Sequence, residues 1–301
     1  MKSSAETIPV IVPAEKSQSN IWVELVKARL TSLVLLTTLV GFYMGSRGPV
    51  NYTLMFHALV GTALVACGAA ALNQLIEREH DGRMRRTEGR PLPAGRVQPD
   101  TVLIFGGVLA AAGLVHLTLA VNPLTGFLGA ITLGSYLFVY TPLKRVTTLN
   151  TAIGAIPGAL PPLMGWTAAT GEVTLGGWSL FAVLFFWQLP HFLAIAWMYR
   201  EDYERGGFRM LPVVDRDGSR TGRQAVSHTL GLLPVSLSPV LLKLAGPIYF
   251  SGALVLGIIF LWFAVQFART LTLPRARKLF LFSVLYLPIL LGLLVFDKIK
   301  P

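Results

Sequence analysis

The chain has 301 residues, of which 53% are hydrophobic and only 14% are charged, and its formal net charge is +11. An average soluble domain carries about 25% charged residues, so this composition excludes an ordinary soluble globular protein. The basic residues lie between long apolar stretches and not on one continuous face, which excludes nucleic acid as the expected partner. Membrane lipid is expected instead, around apolar spans joined by polar loops.

Nine apolar segments are predicted to cross the membrane, because each approaches the ~20 residues that a spanning helix needs. The segments are residues 30–46, 54–76, 101–120, 124–141, 150–169, 177–198, 228–245, 248–268 and 279–296. The fifth contains Pro157, Pro161 and Pro162 and is expected to be kinked or broken. The predicted fold is all-α, a polytopic bundle of about nine transmembrane helices around a central cavity that opens to cytoplasmic loops.

The basic residues predict how this bundle is oriented. With a cytoplasmic N-terminus, all but four of the 26 Lys and Arg residues lie in cytoplasmic segments, which agrees with the positive-inside rule. We therefore predict a multi-pass protein of a bacterial inner membrane, with a mobile cytoplasmic tail at residues 1–20 and a single transmembrane domain at 21–301. The two longest loops, 77–100 and 199–227, are both predicted to be cytoplasmic and to share one active site between two weakly repeated sets of four spans.

The end of the second span carries three oxygen-bearing side chains at intervals of four residues. On a helix Asn73, Glu77 and Asp81 would form one inward stripe. Such oxygens suit Mg²⁺, which often shares its coordination with substrate phosphates. Arg85, Arg86 and Arg90 follow closely, and arginine binds phosphate oxygens well. The spacing alone thus suggests a metal and diphosphate site, but a solvated positive loop that closes a span would account for the arginines equally well.

Four motifs in order carry a resemblance to a known family. The first, N-x-x-x-E-x-x-x-D-x-x-M-x-R-T-x-x-R-P-L, begins at Asn73 and resembles the first motif of the intramembrane prenyltransferase superfamily. The stretch MRRTEGRPLPAGR, together with Y-T-P-L-K-R from Tyr140, W-Q-L-P-H-F from Trp187 and Y-R-E-D-Y-x-x-G-G from Tyr199, is similar to the heme-prenylating branch of that superfamily. The resemblance covers residues 22–297.

This resemblance implies roles for individual residues. The metal ligands and catalytic residues would be Asn73, Glu77, Asp81 and Asp202. Binding of the diphosphate would fall to Arg78, Arg85, Arg86, Arg90, Lys144 and Arg145, of which the last two are alternatively contacts for a heme propionate. Contacts to the heme acceptor would come from Trp187, Gln188, His191, Tyr199, Arg200 and Tyr203. In place of the common D-x-x-x-D second motif the chain has Glu201, Asp202 and Glu204, so it departs from the superfamily pattern at the second metal position.

The implied reaction is Mg²⁺-dependent transfer of a farnesyl group from farnesyl diphosphate to a vinyl group of protoheme IX (heme B), with addition of water to give heme O. Heme B would be the substrate and not a cofactor, and the product would pass to a heme A synthase or a terminal oxidase. Two alternatives remain open. One is a prenyltransferase with an aromatic quinone precursor as acceptor, and the other is a membrane transporter or a non-catalytic oxidase assembly factor.

Overall fold

The structure, a computed structural model, describes residues 18–299 and the side chains of residues 20–299. The predicted tail, residues 1–20, lies outside the described residues except for its last three, which begin a helix. The described chain is helical and contains no strand. The α-helices are α1 (Gln18–Leu25), α2 (Ala28–Gly45), α3 (Tyr52–Asp81), α4 (Pro99–His116), α5 (Pro123–Gly134), α6 (Thr141–Leu143), α7 (Asn150–Thr170), α8 (Leu175–Met198), α9 (Arg200–Arg205), α10 (Leu211–Val214), α11 (Ser219–Leu241), α12 (Pro247–Thr270) and α13 (Leu273–Phe296).

Local sequence determines where several helices begin. The side chain of Asn51 accepts a hydrogen bond from the amide of Leu54 at the start of α3, and Asn122 does the same for Thr125 in α5. These caps satisfy amides that have no partner within the helix. Two π-helical segments, Leu117–Val121 and Ser135–Tyr140, continue α4 and α5. The sequence did not indicate them.

Seven helices within residues 18–299 are long and apolar enough to cross a membrane. The two predicted spans that fall short are the proline-containing α7 and α11. Most of α7 is buried by neighbouring helices, so its prolines and small side chains contact protein and need not be as apolar as a lipid-facing helix. The all-α membrane bundle is thus confirmed, but the count of nine spans is not. Of the kink or break predicted for the fifth segment, the break is wrong, because α7 is continuous through all three prolines; the kink stays a prediction.

The contact between α2 and α7 is close because both helices carry glycine where they cross. A Cβ atom on Gly41 would collide with the carbonyl oxygen of Pro162, and one on Gly165 with that of Thr38. Small residues allow helix backbones to approach closely inside a membrane. This crossing holds the first spanning helix against the centre of the bundle.

Hydrogen bonds define the two ends of the bundle. At one end, which we call the site end, the backbone amides of Arg85 and Arg86 donate to the carboxylate of Asp202. The loops 77–100 and 199–227 therefore meet, as their lengths and shared side predict. At the opposite end Lys298 donates from Nζ to the carbonyl oxygens of Tyr43, at 2.6 Å, and Ser46, at 2.7 Å. This contact joins the last residues of the described chain to the end of α2.

Candidate active site

A cavity of about 300 Å³ enters the bundle from the site end between α2, α3, α5, α7 and α8. Its outer part is polar and charged, and its inner part is apolar. The polar residues of the outer part include Lys27, Asn73, Glu77, Asp81, Arg90 and Lys144. The apolar residues of the inner part include Val34, Val65, Ala66, Ala69, Leu133 and Met164. A ligand with an anionic head and a hydrocarbon tail matches this division.

Asn73, Glu77 and Asp81 lie along one face of α3, and all three side chains are buried. Each of the three side chains accepts a hydrogen bond from a different basic residue. The donor and acceptor pairs are Lys27 Nζ to Asn73 Oδ1 at 2.8 Å, Lys144 Nζ to Glu77 Oε1 at 2.8 Å, and Arg90 Nη1 to Asp81 Oδ2 at 2.6 Å. Because a buried charge without a partner is costly, these pairs make the stripe tolerable at the edge of a membrane. Two carboxylates, one amide and three cations thus surround the cavity mouth.

Lys27 also belongs to this group, but the sequence did not predict a site role for it. In the sequence Lys27 is one of several basic residues of the N-terminal segment, which were attributed to membrane orientation. It sits between α1 and α2 with a left-handed backbone, φ 48°, which is uncommon for a residue other than glycine. This turn sends the ammonium group into the cavity. Burial and the neighbouring charges of Arg90 and Lys144 lower the pKa of Lys27 to about 7.

The π-helical segment Ser135–Tyr140 brings two tyrosines, Tyr136 and Tyr140, to the same cavity. The ammonium of Lys144 lies 4.5 Å from the centre of the Tyr140 ring, within the range of a cation–π contact. Gly154 of α7 makes room for that ring, since a Cβ atom at this position would overlap it. Single-turn π segments are frequent at functional sites, and this one places an aromatic face between the charged and apolar parts.

Asp202 does not line this cavity. It lies on α9, where it accepts hydrogen bonds from the Arg205 side chain and from the amides of Arg85 and Arg86. Burial alone would raise its pKa, but these hydrogen bonds and the Arg205 charge hold the pKa of Asp202 below its usual range. Asp202 therefore lies apart from Asn73, Glu77 and Asp81. Its hydrogen bonds join the loop 77–100 to the loop 199–227.

The six predicted diphosphate ligands divide into two groups. Arg86, Arg90 and Lys144 line the cavity. The other three do not: Arg78 is exposed and lies 3.8 Å from Glu79, Arg145 donates to Nε2 of His80, and Arg85 points to a second cavity. Residues on consecutive positions of a helix or turn face different directions. The motif in the sequence therefore does not show which of these basic side chains face the cavity and which face away from it.

The predicted acceptor contacts divide in the same way. Gln188 and Tyr203 line the cavity. His191 and Trp187 instead face α13, where Nδ1 of His191 lies 2.7 Å from Oγ of Ser283 and Nε1 of Trp187 donates to the Ser283 carbonyl oxygen. The His191 ring stacks on Trp187 with centroids 5.0 Å apart. Neither ring of this pair lines the cavity.

Tyr199 and Arg200 line the second cavity, of about 280 Å³, at the site end. This cavity lies beside the ends of α8 and α12 and also contains Arg85, Trp197 and Leu271. Arg200 covers the Trp197 ring at 4.9 Å from its centre. The predicted acceptor residues thus occupy three places: the first cavity, the α8–α13 contact and the second cavity.

The donor chemistry of the α3 stripe fits Mg²⁺. Among the described residues, no group of three or more His, Cys, Asp or Glu side chains could hold a metal ion by itself. Asn73, Glu77 and Asp81 supply hard oxygen donors, and Mg²⁺ is usually bound by one or two carboxylates together with substrate phosphates and water. A metal at this stripe therefore requires the substrate as a further ligand.

Comparison with known proteins adds to this geometry. The model of the UbiA prenyltransferase family matches residues 34–286. The chain belongs to the UbiA prenyltransferase family. Among similar members are the protoheme IX farnesyltransferase of Solibacter usitatus, 49% identical over 92% of this chain and 98% of that protein, and that of Koribacter versatilis, 43% identical over 99% of both.

Solved structures of family members share the fold. A structure of digeranylgeranylglyceryl phosphate synthase superposes with a TM-score of 0.78 at 17% identity, covering 93% of this chain and 98% of that one. A UbiA homologue from Archaeoglobus fulgidus, bound to GPP and Mg²⁺, superposes with a TM-score of 0.63 at 15% identity, covering 91% and 99%. The family resemblance predicted from the motifs is thus confirmed, and the chain is a prenyltransferase. The transporter and assembly-factor alternatives are not supported.

Proposed function

We propose that this prenyltransferase transfers the farnesyl group of farnesyl diphosphate to a vinyl group of protoheme IX and adds water, which gives heme O. The observation that carries the proposal is the division of the first cavity into a charged mouth and an apolar interior. The two relatives named above, which match nearly the whole chain, are protoheme IX farnesyltransferases, and this supports heme as the acceptor.

The charged mouth would bind the diphosphate. Lys27, Arg90 and Lys144 already lie there, and they can transfer their hydrogen bonds from the α3 stripe to phosphate oxygens. Arg86 lines the same mouth from the loop above. A set of cations fixed before the reaction stabilises negative charge as it develops on the leaving group.

Mg²⁺ would be held by Asn73, Glu77 and Asp81, and would neutralise the leaving diphosphate. Because the diphosphate oxygens would complete its coordination, metal and substrate would bind together. When both bind, Lys27, Arg90 and Lys144 lose their present partners on α3 and gain the diphosphate. The site can thus stay close to electrically balanced with and without substrate.

The vinyl π electrons form a new C–C bond to C1 of the farnesyl group, while the C–O bond breaks and its electrons leave on the diphosphate. The cation that remains on the carbon next to the pyrrole takes oxygen from water, which releases a proton. Tyr136 and Tyr140 would present aromatic faces beside the charged mouth, where positive charge develops. The apolar walls keep water from the farnesyl group until the C–C bond has formed.

A mass-spectrometric assay in H₂¹⁸O tests this function. Purified protein would receive heme B, farnesyl diphosphate and Mg²⁺, with EDTA as control. The expected product is heme with one added farnesyl and one added ¹⁸O-labelled hydroxyl, formed only with the metal. Prenylation of a phenolic quinone precursor and not of heme would leave the prenyltransferase assignment intact and overturn the acceptor. Product formation in EDTA would overturn the metal requirement.

A further inference from the structure

The first cavity lacks the volume for a porphyrin beside a farnesyl chain. Its volume of about 300 Å³ lies at the lower end of small-molecule sites, which span roughly 300–1,000 Å³. The inner part is already matched to a hydrocarbon tail. The acceptor therefore needs a second binding region that opens onto the charged mouth.

Only a few side chains separate the second cavity from the charged mouth of the first cavity. The guanidinium of Arg86 lies 5.0 Å from the ring centre of Tyr199 and 5.5 Å from that of Tyr203, and it donates to the Tyr203 hydroxyl at 3.3 Å. Arg86 and Tyr203 line the first cavity, whereas Tyr199 lines the second. The two cavities are thus separated by the thickness of one stacked arginine, a side chain that can change rotamer without movement of the backbone.

The second cavity combines cations with apolar and aromatic surface, and the carboxylates of Glu201 and Asp202 also line it. Arg85 and Arg200 have no acidic partner among the described residues, in contrast to Arg205, which binds Asp202. Asp202 is itself satisfied by Arg205 and two backbone amides. Tyr199 supplies an aromatic face, and Leu271 and Leu273 supply aliphatic ones, while Trp197 is buried beneath Arg200. An anionic, flat and largely apolar molecule fits this combination.

We propose that the second cavity binds the carboxylate-bearing half of the porphyrin acceptor, with Arg85 and Arg200 on its propionates. This inference rests on the proposed function. Protoheme IX carries its two propionates on one half of the ring and its two vinyl groups on the other. When the propionates are held in the second cavity, the flat ring passes Arg86 and its vinyl half reaches the mouth of the first cavity, where C1 of the prenyl donor lies. Arg85 thereby changes its expected role from diphosphate to acceptor binding.

The headgroup of an anionic phospholipid has the same chemistry, an acid beside apolar chains. Arginines at the level of the membrane surface attract such lipids. The experiment therefore needs one arm for the porphyrin carboxylates and a separate arm for the lipid.

The test compares protoheme IX with its dimethyl ester, which has the same ring without carboxylates. Full-length protein in phosphatidylcholine nanodiscs would be titrated with each ligand and followed by the heme absorbance. We expect the wild type to bind protoheme more tightly than the ester. Arg85→Ala and Arg200→Ala should each weaken protoheme binding by about tenfold or more and leave ester binding unchanged, because only the acid pairs with these side chains. Binding of farnesyl diphosphate should not change.

Arg277→Ala is the matched control, since Arg277 is exposed on α13 and lines neither cavity. Equal losses for protoheme and ester, or no loss in either arginine variant, would overturn the proposal. A second titration in nanodiscs with added phosphatidylglycerol identifies the lipid alternative: if the variants change only the response to this lipid, the cavity is a lipid site. A wild type that binds protoheme through both arginines but forms no prenylated product would overturn the proposed function and leave this site standing.

Discussion

Nζ of Lys144 lies 2.8 Å from Oε1 of Glu77, and both side chains are largely buried. Similar pairs join Lys27 to Asn73 and Arg90 to Asp81. The two carboxylates of the α3 stripe are therefore neutralised by the chain itself before any ligand arrives, whereas Lys27 contacts the uncharged amide of Asn73. In the proposed reaction, substrate and metal would enter by an exchange of partners, so Glu77 and Asp81 would keep a counter-charge at every stage.

Glu77→Gln should lower turnover by about 100-fold or more while the protein still inserts. The substitution keeps the size of the side chain but removes a charge that would hold the metal, and the loss of one preorganised electrostatic contact commonly costs this much. It should also reduce thermal stability, because Lys144 becomes a buried cation without its partner. The double variant Glu77→Gln/Lys144→Met should regain stability but not activity. A single variant with turnover within threefold of the wild type would remove Glu77 from the mechanism.

Lys27→Ala should raise the KM for farnesyl diphosphate by about tenfold or more and leave the KM for heme unchanged, since a hydrogen bond from a charged group is worth about 1.5–3 kcal/mol. Arg29→Ala is the control, because Arg29 lies two residues along the chain, is exposed, and does not line the cavity. Steady-state kinetics with each substrate varied in turn measures both constants. An equal effect of the two variants would mean that only the charge of the surface matters.

Asp202→Asn should loosen the contact between the two site-end loops and leave the affinity for Mg²⁺ unchanged. Because its pKa is lowered on folding, Asp202 contributes stability above its unfolded pKa of about 3.9, and this contribution is lost as the pH falls through the lower folded value. The variant should thus be less stable than the wild type at pH 7, and the difference should shrink below about pH 4. Limited proteolysis of the loop 82–98 across pH checks this. A loss of Mg²⁺ affinity would return Asp202 to the metal site.

Met164→Ala should allow the enzyme to use geranylgeranyl diphosphate, which is one isoprene unit longer than the farnesyl donor. Met164 lies at the inner end of the cavity, where it packs with Val65 and Leu117, and its removal would leave space for extra carbons. Leu163→Ala is the matched control, because Leu163 is equally buried beside it but does not line the cavity. Competition between the two diphosphates, resolved by product mass, measures the change. An unchanged preference would show that the tail leaves the cavity elsewhere.

His191→Ala should lower stability by about 1–3 kcal/mol, the cost of a lost buried hydrogen bond, and leave the affinity for heme unchanged. The reason is its position between α8 and α13, where it contacts Ser283 and Trp187 and not a cavity. Thermal unfolding in detergent and a heme titration on the same sample separate the two effects. A heme affinity that fell with unchanged stability would restore His191 to the acceptor site.

The sequence predicted an all-α membrane bundle because apolar length is a property of single segments. It also predicted that Asn73, Glu77 and Asp81 share one face, since their spacing matches the period of a helix. The role of Lys27 could not be predicted, because it depends on contacts between helices and not on a pattern within one segment. Its contact with Asn73 depends on a left-handed turn between two helices and on how α2 packs against α3, and no pattern near Lys27 encodes that packing.

The sequence also could not predict that neighbouring arginines line different cavities. Arg85 and Arg86 are neighbours in one motif, yet one lines the second cavity and the other the first. Their directions follow from the turn that their amides make over Asp202. Likewise, α7 was expected to be kinked or broken at its prolines, but it does not break, because packing on nearly all sides supports the helix where proline removes a hydrogen bond.

The contact of Lys298 with the carbonyl oxygens of Tyr43 and Ser46 links the two outermost membrane-spanning helices in chain order. The Ser46 amide already donates to the Tyr43 carbonyl oxygen at 3.3 Å, and Lys298 adds a charged donor to both oxygens at the end of α2, which strengthens the cap. Because Lys298 follows α13 directly, this contact fastens the first spanning helix to the last one. The bundle is thus closed on itself at the end away from the site, and the site end keeps the opening through which ligands enter.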